Sequence, residues 1–343
     1  MVESAKEKSE TPKLTTKRLT NMAFAFKQTG TLLAAIELDL FSTVSQGATT
    51  IPEVAKSLGL PLEAVDKLVT ACTALGLLEK RDDCYSNSPD VDRYLVRGRP
   101  TYYGDYLLYQ ARSEYDVWKE LGAAFQRPPS PTGVYQTLAQ DANMARGLTV
   151  AGYNSSISAG HRLARDFDFS PYSLFLDLGG GSGCYSIAAA QRYPNLRAIV
   201  FDFSTVCAVA EEFIAQAGLS DRITTCAGDF MVDEFPQGAD LVGLIGCIHA
   251  YTPEEKEFVI KKAFQAVAPG GSFIFVDYML DNDRTGPLEA AFRHLDSVAL
   301  SSKGWISTAA EISEYMRRAG AVDIVASDFI PGSMSRVIGR KPK

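Results

Sequence analysis

The chain has 343 residues, 46% of them hydrophobic and 22% charged, which are ordinary globular proportions with length for about two domains. A formal net charge of -7 disfavours a phosphate-tracking surface, because nucleic-acid binders need a basic field to displace counterions. Six cysteines at 72, 84, 184, 207, 226 and 247 form no CxxC pair, so neither a metal site nor a disulfide framework is expected.

Residues 1–14 are a polar, charged tail without an apolar leader segment, and no apolar run approaches the roughly 18 residues of a bilayer span. A cytoplasmic protein with no membrane partner is expected. The stretch LTNMAFAFKQTGTLLAAIELDLFSTV, residues 19–44, is apolar at helical spacing, with a break expected near Gly30. Thr50 then caps a short helix, Gly59 ends it and Pro61 opens another; LLEKRDDCYSNS reads as two strands about a turn at Asp82 and Asp83.

Helix, turn, helix and hairpin is the winged-helix order, which places a first domain at residues 15–105 and invites a DNA-binding reading. The second helix argues against it, since PLEAVDKLVTACTALGLL offers only Lys67 to phosphates. Dimerisation is the preferred reading, with a DNA-binding regulator as the alternative.

Residues 106–343 make the second predicted domain. It opens helically, interrupted by PPSPTG at 128–133. From Ser173 short apolar runs alternate with helical stretches, as in a parallel α/β sheet. The predicted strands are SLFLDLG, RAIVFDF, RITTCAGDF, ADLVGLIGCIH and GSFIFVDYML, followed by the helix AAEISEYMRRAG and two further strands, VDIVASDFI and SRVIGRK.

LDLGGGSGCYSIAAA sets Asp177, Gly179, Gly180, Gly181 and Gly183 where a strand gives way to a helix, so that a ligand can meet bare backbone. Cys184 stands where a dinucleotide fingerprint needs Gly or Ala, and no Walker lysine follows. Asp202, 25 residues after Asp177, ends the second strand where a carboxylate can accept from both ribose hydroxyls, or else caps the next helix. Gly228-Asp229-Phe230 offers a carboxylate and an aromatic face to an amino-purine, or is an ordinary strand-end turn. Together these strand ends fit an adenosine ligand without a pyrophosphate, such as S-adenosylmethionine.

The motifs AAIELDLF, LDLGGGSG, FDFSTV, GDF, IHAYTPEEK and FVDYMLD together resemble the two-domain, dimeric small-molecule O-methyltransferases of plant caffeic-acid type and their bacterial natural-product relatives. The resemblance implies a Rossmann-like class I methyltransferase sheet, α/β in class, with an N-terminal winged-helix dimerisation domain. It implies an obligate homodimer, S-adenosyl-L-methionine as cofactor and no nucleic-acid partner. By resemblance Gly179 and Gly181 face the cofactor's methionyl part, Asp202 its ribose, and Asp229 with Phe230 its adenine; His249 is the catalytic base and Asp277 its acidic partner.

His249 suits that role, because an imidazole with a reference pKa of about 6.5 can take a proton from an attacking phenol at neutral pH. His161 and His294 lie within helical patterns and read as structural or surface residues. Two departures from the family pattern stand out. Its His-Asp-Trp is His249-Ala250-Tyr251 here, and no carboxylate occupies Gly304-Trp305-Ile306-Ser307, where a second acidic partner is usual. The reading is methyl transfer to a hydroxyl of an aromatic or polyketide-like small molecule, with C- or N-methylation, or a non-methylating reaction on the same fold, as alternatives.

Overall fold

A computed structural model describes residues 14–99, 101–128, 139–300 and 302–343. The tail up to residue 13 and the PPSPTG interruption after Pro128 lie outside the described residues. The chain divides into two compact units between Arg112 and Ser113, within the helix Gly104–Lys119.

In the first unit three helices span Lys17–Ala23, Ala25–Glu37 and Leu40–Ser45. The expected break at Gly30 is absent: Gly30 lies inside the second helix, a position that costs about 1 kcal/mol relative to Ala but can be borne. The chain turns instead at Phe24 and at Asp39, whose left-handed φ of 57° an Asp tolerates. A capping box opens the helix Ile51–Leu58, with the Thr50 N–H donating to Glu53 Oε2 at 2.9 Å, and Gly59 at φ 65° closes it. The helix Leu62–Ala74 follows, then a hairpin of β1 (Leu78–Arg81) and β2 (Cys84–Asn87) about Asp82, also left-handed. Ile36, Leu40, Phe41, Val54, Val65, Val69 and Leu78 pack into one core, each burial contributing about 1.5–3 kcal/mol.

The second unit is built on β3 (Leu174–Leu178), β4 (Arg197–Asp202), β5 (Ile223–Ala227), β6 (Ala239–Ile245), β7 (Val267–Tyr278), β8 (Val322–Ile330) and β9 (Met334–Arg340), in the order β5-β4-β3-β6-β7-β9-β8. The first five run parallel, and β9 is antiparallel to both β7 and β8. Alternate residues feed two cores on opposite faces. Leu176, Val242, Leu244, Phe273 and Phe275 pack with the helices Pro253–Ala266 and Ala309–Arg318. Phe175, Leu241, Ile245, Ile274 and Val276 pack with Cys184–Arg192 and Ser204–Gln216. Burial of both faces is why these strands read as continuous apolar runs.

Two strand ends differ from the sequence expectation. β7 begins at Val267 rather than Gly271, because an irregularity between Ala239 and Leu241 lets Val267 pair before the regular register resumes at Ser272. β6 stops at Ile245: Gly246 turns at φ 67° while its N–H donates to the Val276 carbonyl at 2.7 Å, so His249 lies in a turn beyond the strand. The connections leave β3 in one direction toward β4 and β5, then cross back to β6, so the carboxyl ends of β3 and β6 flank the crevice where ligands of such sheets bind.

Candidate active site

The loop after β3 is held from both sides, Gly179 donating to the Phe201 carbonyl and Gly183 to that of Gly180, each at 2.8 Å. Gly179 has no room for a side chain: at φ 66° a Cβ would stand 2.7 Å from both Phe230 and Cys247. Gly181 at φ 58° opens onto free space, and its N–H donates to Asp202 Oδ2 at 2.9 Å. The glycines therefore serve close approach and backbone exposure at once.

A cavity of about 390 Å³ lies over this loop, lined by Gly179, Gly181, Asp202, Phe230 and His249 among others. Five of the sequence-predicted site residues thus meet on one wall. Three others stand off it. Asp177, 1% exposed, lies beneath the loop and accepts the Ser186 hydroxyl at 2.7 Å, which makes it a support for the glycines. Asp229 points its Oδ1 at the Met231 N–H at 2.8 Å while Asp233 caps its own amide. Asp277 sits behind His249, its Oδ1 at 3.4 Å from His249 Nδ1.

Burial pushes the Asp202 carboxyl up to about 6, even though the N–H groups of Gly181 and Phe203 favour its ionised form. Asp177 is likewise pushed up to about 6 by burial, offset in part by Ser186. Tyr251, also on the cavity wall, is raised by burial so that its phenol stays neutral, and its ring lies 6.5 Å from that of Phe230.

His249 Nδ1 makes no hydrogen bond in this arrangement, and Asp277 Oδ2 has none either, while Asp277 Oδ1 accepts the Tyr278 N–H at 2.8 Å. His294 does not join them: its Nδ1 accepts the Ile306 N–H at 3.1 Å, which fixes its tautomer, and burial lowers its pKa. His161 is exposed.

Sequence reasoning missed several residues. Thr149, Gly152 and Ser156 of the helix Ala142–Asp166 line the cavity, but nothing in a helical pattern says which turn will face a ligand. Asp296 accepts the Trp118 indole N–H at 2.9 Å and lies near Arg293 at 3.4 Å; burial raises its pKa, and His249 is among the charges acting on it. Arg293 stacks over Tyr278 at 5.2 Å, and the Tyr278 ring meets His249 edge-on at 6.2 Å.

A family model for an O-methyltransferase domain matches residues 118–321, and one for an O-methyltransferase dimerisation domain matches residues 20–97. The chain belongs to the O-methyltransferase family. Among members of this family, the 3-hydroxy-5-methyl-1-naphthoate 3-O-methyltransferase of Streptomyces sahachiroi is 33% identical over 94% of each chain. The tetracenomycin polyketide synthesis 8-O-methyl transferase of Streptomyces glaucescens is 31% identical over 94% of this chain and 96% of its own. The human N-acetylserotonin methyltransferase, solved with its cofactor, superposes with a TM-score of 0.84 over 97% of this chain and all of its own at 24% identity, a likeness of fold. Other relatives in the family are named for methylation at nitrogen and at carbon.

This member of the O-methyltransferase family is an S-adenosylmethionine-dependent methyltransferase, and its cavity has features that bear on that cofactor. The cradle is bare glycine backbone, the half-buried Asp202 carboxylate with acceptor capacity to spare stands beside it, and Phe230 and Tyr251 furnish flat apolar walls. No cationic side chain of the kind that clamps a pyrophosphate lines the cavity among the described residues. These features suit a sulfonium nucleoside. Among the described residues no helix is long and apolar enough to cross a membrane.

Proposed function

We propose that the enzyme methylates a hydroxyl of an aromatic or polyketide-like small molecule, with His249 as the general base and Asp277 as its orienting partner. The observation that carries this reading is that His249 shares one cavity wall with the glycine loop and Asp202 while Asp277 stands 3.4 Å behind its Nδ1. When bound, S-adenosylmethionine supplies an electrophilic methyl group on a positively charged sulfur. Gly179 and Gly181 would accommodate its methionyl part, Asp202 would accept from its ribose, and Phe230 would pack on its adenine. His249 Nε2 takes the acceptor's hydroxyl proton, and Asp277 holds the resulting imidazolium in place. The apolar walls exclude water, and holding acceptor oxygen and methyl carbon within about 3–3.5 Å in line supplies much of the rate.

Asp177 enters this scheme as the support of the glycine loop, and Asp229 as the organiser of the turn that presents Phe230. The exposed apolar side chains of the first helices, Leu19, Met22, Phe24 and Phe26, fit a dimerisation surface, so we assign residues 15–105 to homodimer formation and 106–343 to catalysis.

The test is product analysis. Purified enzyme is offered hydroxylated aromatic acceptors, S-adenosylhomocysteine formation is followed, and the methylated position is read by mass spectrometry and NMR. C- or N-methylation is the second reading, favoured by the unbonded His249 Nδ1 and by Ala250 in place of an acid, because such acceptors lean less on a strong base. A product carrying the new methyl on carbon or nitrogen would establish it.

A further inference from the structure

Lys256 sits in the first turns of the helix Pro253–Ala266 and is 2% exposed, which is exceptional for a lysine. Its Nζ donates to the carbonyl of Trp305. The N–H of the same Trp305 donates to the Tyr251 carbonyl at 3.2 Å, and the next amide, Ile306, donates to His294 Nδ1. Gly304 packs so closely on the base's turn that a Cβ there would stand 3.0 Å from the Ala250 Cα and from the His249 carbonyl oxygen. Leu280, just past β7, donates to the Ser307 carbonyl at 3.1 Å. Residues 304–307 are thus stapled to the turn that carries His249, and Ala250 and Gly304 are small because the two backbones touch.

The groups facing Lys256 come from four elements: Asp277 of β7, Glu311 of the helix Ala309–Arg318, Cys247 after β6 and His294 of the helix Leu288–Ala299. Glu311 is already engaged by the Thr308 N–H at 2.8 Å and by Arg284 at 2.6 Å. Asp277 keeps one buried oxygen without a hydrogen-bond partner, so its charge is the one most in need of a counter-ion. Burial pulls the Lys256 ammonium down to about 8, while Asp277 and Glu311 favour its charged form.

We propose that Lys256 is a positioning residue for methyl transfer, its buried ammonium holding the Trp305 segment closed on the His249–Tyr251 turn and balancing the Asp277 carboxylate behind the base. The proposal rests on the reading of His249 as that base. In this chain a cation takes over, through backbone, the task of ordering the base where residues 304–307 bring no carboxylate.

Lys256→Met keeps the apolar stem and removes the charge. Calorimetry with S-adenosylhomocysteine should give an affinity within about twofold of the parent, because Lys256 does not line the cofactor cavity. Turnover at saturating cofactor and acceptor should fall about tenfold while the acceptor's KM stays within about twofold of the parent, because the base is misplaced and the acceptor's own contacts are kept. Hydrogen exchange at the Trp305 and Ile306 amides should quicken about tenfold. Lys256→Gln, which retains an N–H donor without charge, should recover part of the turnover and leave exchange closer to the parent. Unchanged exchange in Lys256→Met, or a kcat equal to the parent's after correction for active fraction, would overturn the proposal. His249→Ala is run alongside. If it stays fully active, the base reading fails, and the exchange measurement still decides whether Lys256 holds the segment.

Discussion

Lowering the pH should loosen cofactor binding through Asp202, and the size of the effect follows from its surroundings. Both carboxylate oxygens accept backbone N–H groups, at 2.9 Å from Gly181 and 2.8 Å from Phe203, yet burial still lifts the pKa to about 6. Ribose hydroxyls donating to this group need the carboxylate, so binding stabilises the ionised form and carries its pKa downward. By linkage, proton and cofactor then compete: the apparent dissociation constant should double by about pH 6 and rise about tenfold by about pH 5, relative to pH 8. The sign for folding follows the same shift. A carboxyl whose folded pKa is raised from 3.8 to about 6 costs the ligand-free protein stability as pH rises through that window, on the order of 3 kcal/mol above pH 6. The cofactor's donors offset that cost. Titration calorimetry with S-adenosylhomocysteine between pH 5 and 8 measures the slope, and Asp202→Asn should flatten it and weaken binding at pH 8 by about 2–3 kcal/mol. Asp177 titrates near the same pH but contacts no part of the cavity, so Asp177→Asn should keep the slope. A flat affinity in the parent, or a slope that survives Asp202→Asn, would refute the assignment of this carboxylate to the ribose.

His249→Ala should lower kcat by about 10²–10⁴-fold and leave cofactor affinity nearly intact, as read by product formation and calorimetry; full activity would remove the base. Gly179→Ala places a methyl 2.7 Å from Phe230 and Cys247 at a left-handed backbone position, so thermal unfolding should show a loss of about 2 kcal/mol or more together with weakened cofactor binding. Phe26→Asp, on an exposed apolar helix face, should shift the protein toward monomer in multi-angle light scattering with little change in the cofactor affinity of each chain; an unaltered dimer would point to another interface.

The sheet, its strand order of appearance, and the winged-helix sequence of elements are legible because their signals are local. Strands buried on both faces read as apolar runs, the Thr50 capping box and Gly59 punctuate a helix, and glycines concentrate where backbone must be bare. Gly179, Gly181, Asp202 and Phe230 stand out for the same reason, since the carboxyl end of a parallel strand is both a sequence position and a place in the fold. What an acid does at such an end is another matter. Asp177, Asp202, Asp229 and Asp277 all stand at or just past the carboxyl ends of strands, and only the packing of loops around them puts Asp202 on the cavity, Asp177 under it, Asp229 on its own turn and Asp277 behind His249. Lys256 and Asp296 carry no sequence signal at all, because each lies in an ordinary helix and finds its partner, the Trp305 carbonyl or the Trp118 indole, many residues away in the chain. Local chemistry along the chain therefore determined the elements and the candidate residues; burial and distance, which exist only once the chain is packed, decided which charges face the cavity and which stand behind the base.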